Sequence, residues 1–174
     1  MFMLMSNIRY NIRMPAPADG KPLLSESALC RLAGVDRNRR RAWAKQGHLR
    51  QRGHDGYGEL DAAELAIFHR LATLWDFDRA REAWRGAQPG LTDALWARPL
   101  WIVLNEGRAE GALVHDEKTL FEFAGREGRF QIVEVGGAVT EALEGFRNAV
   151  AARNRAQSSE KQANVQILRK ESAK

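Results

Sequence analysis

The sequence predicts an α+β protein: a helical N-terminal half, then a small antiparallel sheet closed by a long C-terminal helix. Three observations predict it. Between Leu24 and Arg85 the apolar residues recur at helical spacing and are interrupted by glycines. From Pro99 the period shortens to two, in short runs separated by Gly, Asp and Asn. After Gly136-Gly137 the apolar residues Val139, Leu143, Phe146 and Val150 stand 4, 3 and 4 apart, a narrow helical stripe.

Residues 1–22 hold Pro15, Pro17, Gly20 and Pro22 without helical period and read as a flexible arm. A first helix is expected from Ser25, a good cap, to Ala33, with Leu24, Ala28, Leu29 and Leu32 on one face. Gly34 ends it and Val35 plugs the gap behind it. Asp36 caps a second helix that reaches Gln46 and stops at Gly47. A hairpin should follow, with His48-Leu49-Arg50 as one strand, Tyr57 to Leu60 as the other, and a glycine-rich tip. Asp61 and Glu64 resemble a capping box and predict a third helix whose apolar face is Leu65, Phe68, Leu71 or Ala72, and Trp75. A fourth helix is expected from Asp78 to Arg85. Gly86, Pro89 and Gly90 read as a linker, and Thr92 to Trp96 as a short bridging helix.

In the second half, Leu100–Leu104, Ala112–His115, Thr119–Phe123 and Phe130–Val135 read as strands. Gly136-Gly137 reads as a plain turn. A helix from Val139 to Ala156 follows, then a polar, frayed tail over 157–174. The stripe on that helix suits either the chain's own sheet or a partner helix. The expected organisation is therefore an arm (1–22), a head (23–88), a small α+β dimerisation or interaction domain (91–156) and a tail.

Charge is unevenly spread. The net charge of the 174 residues is only +5. Lys21 to Arg52 nevertheless hold nine Lys and Arg against two acids, whereas Asp76 to the end holds fifteen of each sign. The positive field is thus confined to one segment, as in nucleic-acid binders. The single cysteine, Cys30, excludes an intramolecular disulfide and a thiolate cluster. Met1 to Met5 are too few for a signal peptide's apolar core, and no apolar run is long enough for a membrane helix. A cytoplasmic location is expected, and the Arg-, Ala- and Gly-rich usage leads to the expectation of a GC-rich bacterial genome.

Helix, glycine turn, arginine helix, hairpin, helix is the order of a winged helix-turn-helix. The second helix opens Arg37-Asn38-Arg39-Arg40-Arg41. An α-helix fits the major groove, where guanine's two acceptors match a guanidinium fork and an amide can pair with adenine. Arg37, Asn38, Arg39, Arg40, Arg41 and Lys45 are therefore candidate DNA contacts. Arg50, Arg52, His54 and Tyr57 are the candidates on the wing, where positive charge meets phosphate.

Residues 24–85 resemble the MerR-like winged helix-turn-helix superfamily, which includes excisionase-like DNA-binding proteins. The resemblance rests on Gly34-Val35-Asp36, Arg41, Trp43, Gly47-His48-Leu49, Asp55-Gly56-Tyr57 and Asp61-Ala62-Ala63-Glu64-Leu65. It implies transcription regulation or phage and plasmid DNA transactions, by a dimer on a two-fold site. Three positions depart from the pattern. Arg40 replaces a usual buried aliphatic residue, so its stem should cover core while its head reaches solvent. Gly58 replaces a usual wing arginine. Ala42 replaces a usual aromatic or basic residue. Trp43 fits an aromatic position that packs into the core.

The expected function is sequence-specific, homodimeric transcription regulation on double-stranded DNA, at a palindromic operator. One alternative is an excisionase-like architectural protein assembling on repeated sites. The other is a protein-interaction module whose basic helix docks an acidic partner. No catalytic constellation is visible, so an enzyme is not expected, nor is a cofactor or metal. The four histidines lack metal-ligand spacing, and nothing in the residues names a small-molecule effector.

Overall fold

A computed structural model describes residues 23–50, 56–107, 110–125 and 128–171. Helix α1 spans Glu26–Leu32, and the Ser25 side chain accepts the Ala28 N–H at 3.3 Å. The chain turns at Gly34, whose φ of 63° lies in the left-handed region that suits glycine. Helix α2 spans Arg37–Lys45. The Asp36 carboxylate accepts the N–H groups of Asn38 (2.8 Å) and Arg39 (3.3 Å). Helices α3 (Glu59–Leu74) and α4 (Phe77–Ala87) follow, then a 3-10 turn over Gln88–Gly90 and the short α5 (Leu91–Ala94).

Strands β1 (Trp101–Asn105), β2 (Glu110–Val114) and β3 (Phe130–Glu134) form an antiparallel sheet in the order β2-β1-β3. Ile102 pairs with Leu113 on one side and Val133 on the other. Helix α6 (Glu117–Ala124) joins β2 to β3, and α7 spans Gly136–Glu171. The architecture is α+β: N-terminal helices, a three-stranded antiparallel sheet and a long C-terminal helix.

Segments expected as a head and a separate second domain share one hydrophobic cluster, which runs from Leu24 through Phe68 and Trp84 to Ile102 and Val150. Gly86 and Gly90, read as linker residues, lie in regular structure. Gly86 on α4 meets Gly111 on β2, and a Cβ on either would lie 2.0 Å from backbone oxygen, so only paired glycines permit this crossing. The stripe Val139, Leu143, Phe146 and Val150 is buried within the chain, where α7 packs on α3 and α1.

Five further expectations are corrected. Thr119–Phe123 is helix, not strand, because Asp116 caps it by accepting the Thr119 N–H at 2.7 Å. The hairpin does not form among the described residues. Tyr57 instead pairs with Leu24 in an isolated antiparallel bridge, and the Arg50 N–H goes to the Glu64 carboxylate. Helix α3 starts two residues early, at Glu59: Asp61 accepts the Gly58 N–H at 2.8 Å, and Glu64 plays no part in the cap. Gly136-Gly137 begins α7 itself, with Glu134 accepting the Gly137 N–H at 3.0 Å. That helix continues through 157–171, where a tail was expected. No Gly or Pro follows Gly145, so nothing in the sequence breaks it. Its 36 residues span about 54 Å.

Candidate nucleic-acid interface

Helix α2 has two sides. Arg40, Trp43 and Ala44 face inward and are buried. Arg37, Arg41 and Lys45, four residues apart, form an exposed basic row with Asn38 exposed beside it; Arg39 is exposed on the opposite flank, next to Trp43. Trp43 explains the orientation. Its ring meets Phe68 of α3 edge-on at 4.8 Å, and the Arg39 guanidinium lies 5.8 Å from the indole centroid. The exit of α2 is also held. The His48 carbonyl accepts the Trp84 indole N–H at 2.6 Å, and its imidazole sits between Phe68 and Phe77. Burial, with Arg81 and Arg85 nearby, lowers the His48 pKa, so the ring stays neutral at pH 7.

One carboxylate organises the arginines. Glu26, in the first turn of α1, accepts from Arg41 through Nε (3.0 and 3.1 Å) and Nη2 (2.6 Å). It also accepts from Arg40 Nη1 at 3.0 Å and Arg37 Nη2 at 3.5 Å. The Arg41 hydrogen bonds, joined by that from Arg40, hold the Glu26 carboxyl below its usual range although burial opposes them. Glu26 raises the Arg41 pKa in turn.

Arg40 departs from expectation. Its head does not reach solvent: the side chain is 7% exposed, pairs with Glu26, and places its guanidinium 4.3 Å from the Tyr57 ring centroid. A buried guanidinium must be paired, and Glu26 supplies the pair where an aliphatic residue would have needed none. Tyr57 is also buried and serves this stack, so neither residue lies on the exposed face. Arg50, expected on an open wing, turns inward; its Nε donates to Glu64 Oε1 at 2.7 Å. Glu64 is 1% exposed, and burial lifts its pKa to about 7 against the pull of Arg50. Arg52 and His54 lie outside the described residues.

The structure thus brings Arg37, Asn38, Arg39, Arg41 and Lys45 onto one exposed helix and takes Arg40, Tyr57 and Arg50 into its support. Sequence reasoning missed Glu26. Its signal was present: Glu26 and Asp36 are the only acids between Lys21 and Arg52, and a buried Arg40 required one. Cys30 is buried, and burial raises its thiol pKa, which disfavours thiolate. Among the described residues no three His, Cys, Asp or Glu form a metal-binding group, and no helix is long and apolar enough to cross a membrane.

No protein-family model matches the chain, and comparison with curated proteins finds no match.

Proposed function

We propose that the protein is a sequence-specific DNA-binding regulator whose α2 enters the major groove. One observation carries this reading. A helix fixed on its inner side by Trp43 and the Arg40–Glu26 pair presents Arg37, Asn38, Arg39, Arg41 and Lys45 outward together. Side chains near the start of such a helix reach base edges, and flanking cations contact phosphate. The tight Gly34 turn between α1 and α2, and the resemblance of residues 24–85 to MerR-like winged helix-turn-helix proteins, support the same reading.

A homodimer on a two-fold site is part of the proposal. A single head contacts one half-site, and linking two heads raises affinity through effective concentration. The apolar stripe of α7 is buried inside the chain, and residues 151–160 of the same helix are exposed. Regulation of transcription follows from occupancy of such a site.

The test is selection of fragments from genomic DNA by the purified chain, with an Arg39→Ala/Arg41→Ala control. Recovery of a two-fold motif that the control loses is the expected result. Tandem direct repeats would favour an excisionase-like architectural role. Absence of any DNA at low salt would refute the proposal and favour an acidic protein partner.

A further inference from the structure

The Arg41–Glu26 contact is made on one particular edge of the guanidinium. Nε and Nη2 face the carboxylate, so the side edge of the fork is occupied. A guanidinium carries five N–H donors in one plane. Occupying the side edge leaves the end edge, one hydrogen each from Nη1 and Nη2, pointing away from Glu26. The Arg41 side chain is 55% exposed, so this end edge is accessible. Two parallel donors at that spacing match the O6 and N7 acceptors of guanine in the major groove.

Glu26 is itself held in place. Oε1 receives the Arg40 guanidinium, which is buried and stacked on Tyr57. Tyr57 is tied to Leu24 by two backbone hydrogen bonds of 2.8 and 2.9 Å, two residues before Glu26. The contacts Leu24–Tyr57–Arg40–Glu26 therefore close into a ring through the backbone of Ser25, and Arg41 is held by the Glu26 member of that ring. Glu26 does not neutralise the surface, because one carboxylate faces three arginines. Its effect on Arg41 is orientation: a guanidinium fixed in advance loses less freedom when it binds.

We propose that Glu26 is a positioning residue for DNA recognition, presenting the end edge of Arg41 to a guanine base and so setting sequence discrimination rather than total affinity. This rests on the DNA-reading proposal above.

The test compares binding of the full chain to its selected duplex and to a scrambled duplex of equal length. The proteins are wild type, Glu26→Gln, Arg41→Lys and the double variant. Glu26→Gln should lower the specific-to-scrambled affinity ratio about tenfold. Its affinity for scrambled DNA should hold or rise, since a negative charge is lost beside phosphate. Arg41→Lys keeps the charge but not the fork, leaves the Glu26–Arg40 pair in place, and should lower the ratio by a similar factor. The double variant should be no worse than either single one.

An unchanged ratio in Arg41→Lys overturns the proposal even if Glu26→Gln fails to fold. Additive losses in the double variant overturn it too. So does equal weakening on both duplexes with a lowered melting temperature, the signature of a purely structural Glu26–Arg40 pair. A wild-type chain that does not distinguish the duplexes refutes the DNA-reading proposal itself, and this one with it.

Discussion

The crossing of α4 over β2 makes a sharp prediction about how the two halves of the chain depend on each other. A methyl placed on Gly111 would lie 2.0 Å from the Ala83 carbonyl oxygen and 2.4 Å from its Cα; one on Gly86 would lie 2.0 Å from the Gly111 oxygen. Ordinary heavy-atom contacts begin near 3.5 Å, so helix and strand must separate by about 1.5 Å, and a gap of even ~1 Å forfeits up to about half of each dispersion well. The opposing atoms are backbone in regular elements and cannot swing aside. Overpacking costs about 1–3 kcal/mol, and this clash belongs at the upper end, so Gly111→Ala should cost about 3 kcal/mol. Gly86 lies in a helix, where alanine is favoured by about 1 kcal/mol. Gly86→Ala should therefore still destabilise, by about 2 kcal/mol. For a chain of this size Gly111→Ala corresponds to a melting temperature lower by about 6–12 °C. Urea and thermal unfolding followed by circular dichroism measure both. Gly90→Ala is the control. It has a φ of −81° and would meet Leu113 Cβ at an ordinary 3.8 Å, so it should be neutral or mildly stabilising. A Gly111→Ala protein within ~1 kcal/mol of wild type would show that the crossing is not close-packed and refute the reasoning.

Two other perturbations follow from the same packing. Glu64 should make stability depend on pH with the sign opposite to that of most carboxylates. Its folded pKa is lifted from the usual 4.5 to about 7 by burial, so between those values the folded chain holds a proton that the unfolded chain has released. Stability from this group therefore falls as pH rises from 4.5 to about 7 and levels off above it, by up to about 3 kcal/mol. The advantage of wild type over Glu64→Gln in urea unfolding should shrink by that amount between pH 4 and pH 8, and a pH-independent difference would contradict the assignment. A chain ended after Gly90 should lack cooperative unfolding, because α3 then loses its cover by α7 and α4 loses β2. A sharp thermal transition in that fragment would show that the head has its own sufficient core.

Most helices were legible because their signals are local. Ser25 and Asp36 are cap residues that hydrogen-bond as caps, and Gly34 has the positive φ its position implied. Three of the four strands expected in the second half formed within two residues of their predicted bounds. The failures share a cause: a local pattern compatible with two structures was decided by a distant or misread partner. Leu120 to Phe123 alternates like a strand, but the Asp116-Glu117 pair, taken as a turn, is a cap and the segment is helical. His48 to Arg50 has strand composition, yet its backbone is claimed by Trp84 and Glu64, 36 and 14 residues away. Pro89 and the neighbouring glycines read as a linker because nothing local reveals that Gly86 must admit the backbone of Gly111.

The same distinction explains the site. Arg37, Asn38, Arg41 and Lys45 could be named from spacing, since exposure on one side of a helix is a periodic property, and Arg39 is exposed on the flank beside Trp43. Arg40 was misplaced, because the resemblance called for an aliphatic residue there and its charge called for solvent. The structure resolves the conflict through Glu26, on a different helix. A buried ion pair seldom adds much net stability compared with apolar packing, but removing one partner is costly. The Arg40–Glu26 pair is thus poorly explained as a device for stability alone. What it does that a leucine and an isoleucine could not is hold a carboxylate, nearly buried and ionised, against the base of two further arginines on an exposed face. On this argument the polar substitution in the core and the orientation of the surface arginines are one feature, and the interior of the α1–α2 unit carries information about what its exterior is built to contact.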